Sequence, residues 1–221
     1  MEIVQAMKER HSVRQYTDRP IDGQTIDALQ AEIDSCNKQG GLHIQLVKNE
    51  SKAFDGFMAH FGKFSGVKNY IALIGKKDGK TDELCGYYGE HLVLKAQQLG
   101  LNTCWVAVSY KKIPDAFEVR KDEKLTVVIA LGFGQNQGVA HKSKSAQAVS
   151  NVTDDSPEWF KSGVEAALLA PTAMNQQKFT LTYADGKISA AAGLGFYTKL
   201  DLGIVKYHFE LGAGRENFDW K

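Results

Sequence analysis

Two arginines and a serine stand at alternate positions in Glu9-Arg10-His11-Ser12-Val13-Arg14-Gln15-Tyr16, directly after a short amphipathic segment. In an extended chain, positions i, i+2 and i+4 point the same way. Arg10, Ser12 and Arg14 then present two guanidinium forks and a hydroxyl to one point. Guanidinium groups aimed together repel unless an anion lies between them, and phosphate matches their fork geometry. The pattern suits a phosphate clamp, and it equally suits solvated arginines that follow a helix. Lys142 and Lys144 repeat the i, i+2 spacing. They are candidates for a second basic contribution to an anion site, although a solvated lysine pair needs no such role.

Composition narrows the chemistry further. The 221 residues carry a formal net charge of +1, with 43% hydrophobic and 24% charged residues. That is ordinary globular composition, and so small a charge argues against a generic binder of nucleic acid or membrane surfaces. No apolar run reaches the roughly 18 residues a membrane span needs. Met1-Glu2-Ile3-Val4-Gln5 lacks the basic-then-apolar pattern of a signal peptide. Cys36, Cys85 and Cys104 contain no CxxC pair and read as free thiols of a reducing compartment. A soluble, cytoplasmic protein is the expectation. Hydrolase or transferase chemistry through His11-Ser12 or a Cys–His pair lacks a supporting motif. There is no GxSxG elbow, and Cys104 and His91 stand in no recognisable pattern. Gly132, Gly134 and Gly138 follow a strand, but their spacing is not that of a dinucleotide fingerprint and no amphipathic helix follows.

The elements that must position these residues are legible from periodicity. Residues 2–10 pattern as a helix, broken by Tyr16-Thr17-Asp18-Arg19-Pro20. Asp22 suits an N-cap for a helix over 24–37, closed by Gly40-Gly41. Residues 42–47 alternate as a half-buried strand, 52–61 suit a short helix, and 69–74 a strand. The longest helix signal covers 83–99, apolar on more than one face and therefore central. Residues 103–108 and 125–132 follow as strands, the second an unbroken apolar run that fits burial on both faces. The polar stretch 145–157 reads as a linker. A helix over 158–169, a loop over 170–177, a hairpin turning at Asp185-Gly186, and a helix over 200–211 complete the chain.

At this point a resemblance enters. Arg10-His11-Ser12-Val13-Arg14-Gln15-Tyr16-Thr17-Asp18-Arg19-Pro20 resembles the opening motif of the FMN-dependent nitroreductase family. The helix with Tyr87-Tyr88 and the following Leu99 to Val106 resemble that family's central helix and flavin-edge segment. Leu131-Gly132-Phe133-Gly134 and the Lys142/Lys144 segment resemble its last strand and basic tail. Ala170-Pro171-Thr172-Ala173-Met174-Asn175-Gln176-Gln177 is similar to its Ala-Pro-Ser-x-x-Asn-x-Gln loop. The order departs from the family pattern. The Asn-loop normally follows the first helices, but the corresponding stretch here, residues 34–40, lacks its proline. Helix, small polar loop and alternating strand occur both in 28–47 and in 163–183, and Leu200 to Phe209 again looks like a central helix.

The resemblance implies an α+β nitroreductase-like fold, with helices packed on mixed or antiparallel sheets and a degenerate internal duplication. Residues 1–150 would form a first half with the phosphate clamp, and residues 151–221 a shorter half with the Asn-loop. One FMN would lie between them. Family members are homodimers that build the flavin site between subunits, so such a chain is expected to be a monomer mimicking that dimer. The implied activity is ping-pong transfer from NAD(P)H through FMN to a nitroaromatic, quinone or similar small-molecule acceptor. An FMN-binding protein without turnover is the alternative. The flavin carries the chemistry, so no catalytic side chain is expected. By resemblance, Arg10, His11 and Ser12 take the phosphate and ribityl end. Arg14 supplies the charge that favours reduced flavin. Lys142 or Lys144 neutralises the remaining phosphate charge. Trp105 and Val106 lie along the flavin. Thr172 and Asn175 hydrogen-bond it, on a backbone shaped by Pro171 and Ala173.

Overall fold

The computed structural model describes residues 1–221. The chain forms two compact units, one of Met1–Thr81 with Leu92–Ala140, the other of Asp82–His91 with His141–Lys221. The boundary expected at 150/151 therefore falls ten residues earlier. The reason is local bonding. His141 Nε2 lies 3.0 Å from Leu168 O, and Lys144 N donates to Gln177 Oε1 at 2.8 Å, so the segment belongs to the second unit.

In the first unit, α1 spans Ile3–Glu9 and α2 spans Gly23–Gly40. The Asp22 carboxylate caps α2 by accepting from Thr25 N at 2.9 Å, and Gly41 ends it in the left-handed region at φ 60°. The sheet comprises β1 (Gln45–Val47), β2 (Asn69–Lys76), β3 (Asn102–Val106) and β4 (Glu123–Gly132) in the order β1-β2-β4-β3, antiparallel throughout. The apolar run in β4 is explained by its interior position. Tyr70, Ala72, Val128, Ala130, Cys104 and Val106 share one core face with Val13, Tyr16, Phe54 and Phe64. Alternation turns Ile71, Leu73 and Ile129 to the opposite face, where they are equally buried. Each such side chain stabilises the fold by about 1.5–3 kcal/mol.

Two expectations need correction here. The strand expected over 42–47 is only Gln45–Val47, because the Asn37 side chain takes the Ile44 backbone, accepting from its N–H at 2.6 Å and donating to its carbonyl at 2.9 Å. The helix expected over 52–61 divides at Asp55-Gly56 into a 3-10 turn, Lys52–Phe54, and α3, Phe57–Phe61.

Helix α4 runs unbroken from Thr81 to Gln98, with residues 82–91 assigned to the second unit. That unit also contains α5 (Ala146–Val149), α6 (Glu158–Ala167), β5 (Phe179–Ala184), β6 (Lys187–Ala192), α7 (Thr198–Ala213) and β7 (Asp219–Trp220). The β5–β6 hairpin turns at Asp185 and Gly186, both at positive φ (52° and 75°), as a two-residue primed turn requires. β7 adds to β6 in parallel, so the three-stranded sheet is mixed. The stretch read as a linker is packed instead. It contains α5, and the Asn151 amide exchanges two 2.9 Å hydrogen bonds with the Tyr183 backbone of β5. No helix is long and apolar enough to cross a membrane.

The first half of α4 meets α7 at backbone distance. A Cβ added at Gly203 would overlap the Glu83 carbonyl, and one at Gly86 would overlap the Leu200 carbonyl. Next to this crossing lies a fully buried pair. His208 Nε2 is 2.9 Å from Glu90 Oε1, and its Nδ1 is 3.1 Å from Ala166 O. Both ring nitrogens of His208 are thus engaged inside the core. We expect Gly203→Ala to lower stability by about 1–3 kcal/mol through overpacking. Gly79→Ala, where nothing lies within 4 Å of the added Cβ, should be near neutral. Thermal melting of both variants checks this, and equal midpoints would show that the crossing is not tight.

Candidate functional site

The arginine segment is extended and pinned on both sides. Arg10 leaves α1 at φ −67°, ψ 116°. Ser12 bridges Thr103 of β3, and Val13 N donates to Thr103 O at 3.0 Å. Farther along, Ser65 N donates to Arg14 O, Tyr16 N to Ser65 O, and Thr17 N to Phe133 O, at 3.0, 3.0 and 2.8 Å. Val13 and Tyr16 are buried in the core, with Tyr16 OH donating to Val13 O at 2.7 Å. Burial pushes the Tyr16 hydroxyl well above the usual range, the neighbouring Cys104 adds to this, and Arg14 opposes it.

Arg10, Ser12 and Arg14 all act on a single atom, the Cys104 sulfur of β3. Burial pushes that thiol up, while the Arg14 charge, a hydrogen bond from Ser12 and the Arg10 charge pull it down. All three alternate side chains thus bear on the Cys104 thiol. Their settings differ. Arg10 is only 3% exposed, whereas Arg14 is exposed, its guanidinium 6.0 Å from the Phe64 ring centroid. His11 is half-buried beneath Gly138.

The glycine loop after β4 wraps this segment. Gln135 N donates to Gln15 O at 2.9 Å, and Gln135 Nε2 to Tyr16 O at 3.1 Å. Asn102 accepts from Gly134 N and donates to Gln137 Oε1, both at 2.9 Å. Gly138 has φ 70°, and a Cβ there would lie 2.8 Å from His11 Cβ. The glycines thus let one loop lie against another, and no helix opens behind them. Val106 is buried in the core at 3% exposure. Its neighbour Trp105 is half-buried and by strand alternation faces the other way. Only the Trp105 side chain is thus partly open to solvent. Two clefts border the segment. One of ≈330 Å³ is lined by Tyr16, Arg19, Lys48 and Lys68, and one of ≈480 Å³ by Arg19, Asn102, Phe133 and Gln137.

In the second unit, residues 170–177 form a loop held from two sides. On one side, Asn175 Nδ2 and Gln177 Nε2 each donate to Lys142 O at 2.9 Å, and Gln177 Nε2 also donates to Asn175 Oδ1 at 2.8 Å. Lys144 Nζ donates to the carbonyls of Gln176 and Gln177 at 3.0 and 2.8 Å. The Lys142/Lys144 segment thus secures the Asn-loop, with two of the three ammonium N–H groups of Lys144 given to its carbonyls. The Asn175 amide is likewise engaged within the loop. Thr172 Oγ1 accepts from Gln177 N at 3.0 Å, and Pro171 is half-buried at the loop's entry. On the other side stands Asp201, a residue that periodicity did not single out. Its Oδ1 accepts from Ala173 N at 3.0 Å and its Oδ2 from Gln176 Nε2 at 2.7 Å. An acid inside the apolar run Leu200 to Val205 was the available signal.

With this geometry described, similarity can be weighed. A family model described as "Putative TM nitroreductase" matches residues 2–213. The chain belongs to this nitroreductase family. Among solved structures, a "putative nitroreductase" from Thermotoga maritima is 24% identical, with a TM-score of 0.69 over 98% of this chain and 85% of that one. A "putative nitroreductase in complex with FMN" from Desulfovibrio desulfuricans is 17% identical, with a TM-score of 0.52 over 71% of this chain and 99% of that one. A "putative NADH dehydrogenase/NAD(P)H nitroreductase" from Parabacteroides distasonis is 19% identical, with a TM-score of 0.51 over 70% of this chain and 98% of that one. These likenesses show the α+β nitroreductase fold. No curated protein sequence matches the chain.

Asp201 gives this nitroreductase-family chain a measurable pH signature. Burial raises its carboxyl from 3.8 to about 6, against the pull of the Ala173 and Gln176 hydrogen bonds. Between those values the folded chain keeps a proton that the unfolded chain has lost. Stability therefore falls as pH rises from about 4 to about 6, by roughly 1–3 kcal/mol, and then levels off. Urea midpoints across this window should decline for the wild type, and Asp201→Asn should remove that component. An unchanged slope in the variant would refute the assignment.

Proposed function

We propose that this chain is an FMN-dependent oxidoreductase that uses NAD(P)H to reduce a nitroaromatic, quinone or similar small acceptor. The observation that supports it best is the extended Arg10–Arg14 segment, pinned along β3 through Ser12 and Val13, with Arg10 buried and Arg14 exposed. Two guanidinium groups and a hydroxyl in one neighbourhood suit a phosphate ester, and the donor set fits the phosphate end of FMN. When bound, FMN supplies the hydride chemistry, and the protein supplies binding, orientation and electrostatics.

The residues divide that work by their settings. Arg10, buried, acts through a low-dielectric environment where its charge is strong. Ser12 adds a hydroxyl, and exposed Arg14 adds positive charge for the cofactor's negative groups. From the second unit, Thr172 retains a hydroxyl proton to donate even though its oxygen takes the Gln177 N–H. Asn175 and Lys144 contribute by holding the loop's shape. We further propose that the chain is a degenerate duplication acting as a monomer. The helix-then-strand order of α2–β1 and α6–β5 supports that reading.

The test is an absorbance spectrum of the purified chain, with FMN stoichiometry, mass in solution and NAD(P)H oxidation. One FMN per monomer with turnover is the expected result. Binding without turnover would indicate a flavin-sequestering protein, and a dimer would sink the single-copy proposal. Arg14→Ala should weaken FMN binding by roughly 1.5–3 kcal/mol without unfolding the chain, the loss expected for a charged hydrogen bond. Wild-type affinity in that variant would remove Arg14 from the clamp.

A further inference from the structure

We propose that Asp201 is a positioning residue that sets the Thr172–Gln177 loop in its cofactor-binding shape, an inference that rests on the flavin reading above. Three observations converge on it. The first is the division of its carboxylate. One oxygen takes the Ala173 backbone N–H and the other the Gln176 side chain, at the two ends of the 3-10 turn Ala173–Asn175. Gln176 Nε2 also donates to Phe196 O at 2.9 Å. One carboxylate thus governs this loop directly and the 193–197 loop through Gln176.

The second is backbone strain. Met174, Asn175 and Gln177 have φ of 50°, 53° and 44°, and Tyr197 has φ 59°, although none is glycine. L-residues hold the left-handed region only where their surroundings over-determine it. Here the surroundings are Asp201 on one side and the Lys142–Lys144 segment on the other. Met174, at the tip, remains 85% exposed. The third is the setting of the acid, which is 3% exposed between Leu200 and Leu202, themselves buried. Placing a carboxylate there opposes folding, and its raised affinity for a proton reports that opposition. A residue that weakens the fold while shaping a strained loop matches the trade of stability for function seen at working sites.

The experiment compares the full-length wild type with Asp201→Leu and Asp201→Asn. Asn keeps an acceptor for Ala173 but sets an amide against Gln176. Three quantities are read: FMN affinity by fluorescence quenching, hydrogen exchange at the Ala173 amide, and melting midpoint above pH 7. The expected result for Asp201→Leu is an FMN dissociation constant raised ~10-fold or more. Exchange at Ala173 should accelerate at least as much, with a melting midpoint no lower than wild type. Asp201→Asn should fall between. A lowered midpoint with unchanged FMN affinity per folded molecule would make the residue merely structural and overturn the inference. Wild-type exchange at Ala173 in both variants would also overturn it. A wild type that takes up no FMN would defeat the flavin reading instead, and the exchange data alone would then decide whether Asp201 holds the loop.

Discussion

The second unit depends on how closely α7 approaches the first half of α4. Helices normally pack with axes 8–10 Å apart because side chains intervene. At Gly86 and Gly203 no side chain intervenes, and backbone meets backbone. Two consequences follow within two turns of helix. Glu90 and His208 are brought to hydrogen-bonding distance in a space without water-facing surface. Asp201, two residues before Gly203, is fixed against the Asn-loop. Beyond the crossing, Glu210 receives Tyr87 OH and Trp220 Nε1, each at 2.6 Å, tying α4, α7 and β7 to one carboxylate. The glycines therefore act at a distance, by allowing polar groups elsewhere on the same helices to meet.

The first unit solves a related problem with different means. A segment carrying two arginines must lie flat on a hydrophobic core. Val13 and Tyr16 anchor it inward, while backbone bonds to Thr103, Ser65 and Phe133 hold it along its length. The glycine loop can cover it because Gly138 leaves room for His11. The Cys104 thiol sits where these demands meet, with a hydrocarbon core on one side and two cations on the other. Its opposing influences are burial on one hand and the nearby arginine charges on the other.

Much of this was legible from residue order because it depends on near neighbours. The Asp22 cap needs only Thr25, the hairpin needs only Asp185-Gly186, and the interior place of β4 follows from its own apolar run. The extended course of the Arg10–Arg14 segment followed from the break in the helical pattern before it. What escaped depends on partners far along the chain. Nothing near Lys144 in the sequence announces the Gln176 and Gln177 carbonyls that it meets. Residues 145–157 looked like a tether because the Asn151 amide that anchors them pairs with Tyr183 of β5, far along the chain. Asp201 was hidden inside an apolar helix, where periodicity counts hydrophobic neighbours and passes over the exception.

The second unit takes a short piece from the middle of the chain, residues 82–91, and the rest from 141 onward. Synthesis on the ribosome is strictly sequential, so that piece emerges long before its partners. While residues 92–140 are being added, the face of α4 bearing Gly86, Tyr87 and Glu90 has no α7 to meet. It remains bare until residue 213 has left the exit tunnel, and Trp220 reaches Glu210 later still. A nascent chain of this design carries an unsatisfied helix face through much of its translation. Its early vulnerability to miscontact or proteolysis is thus written into the order of its segments, independently of how stable the finished protein is.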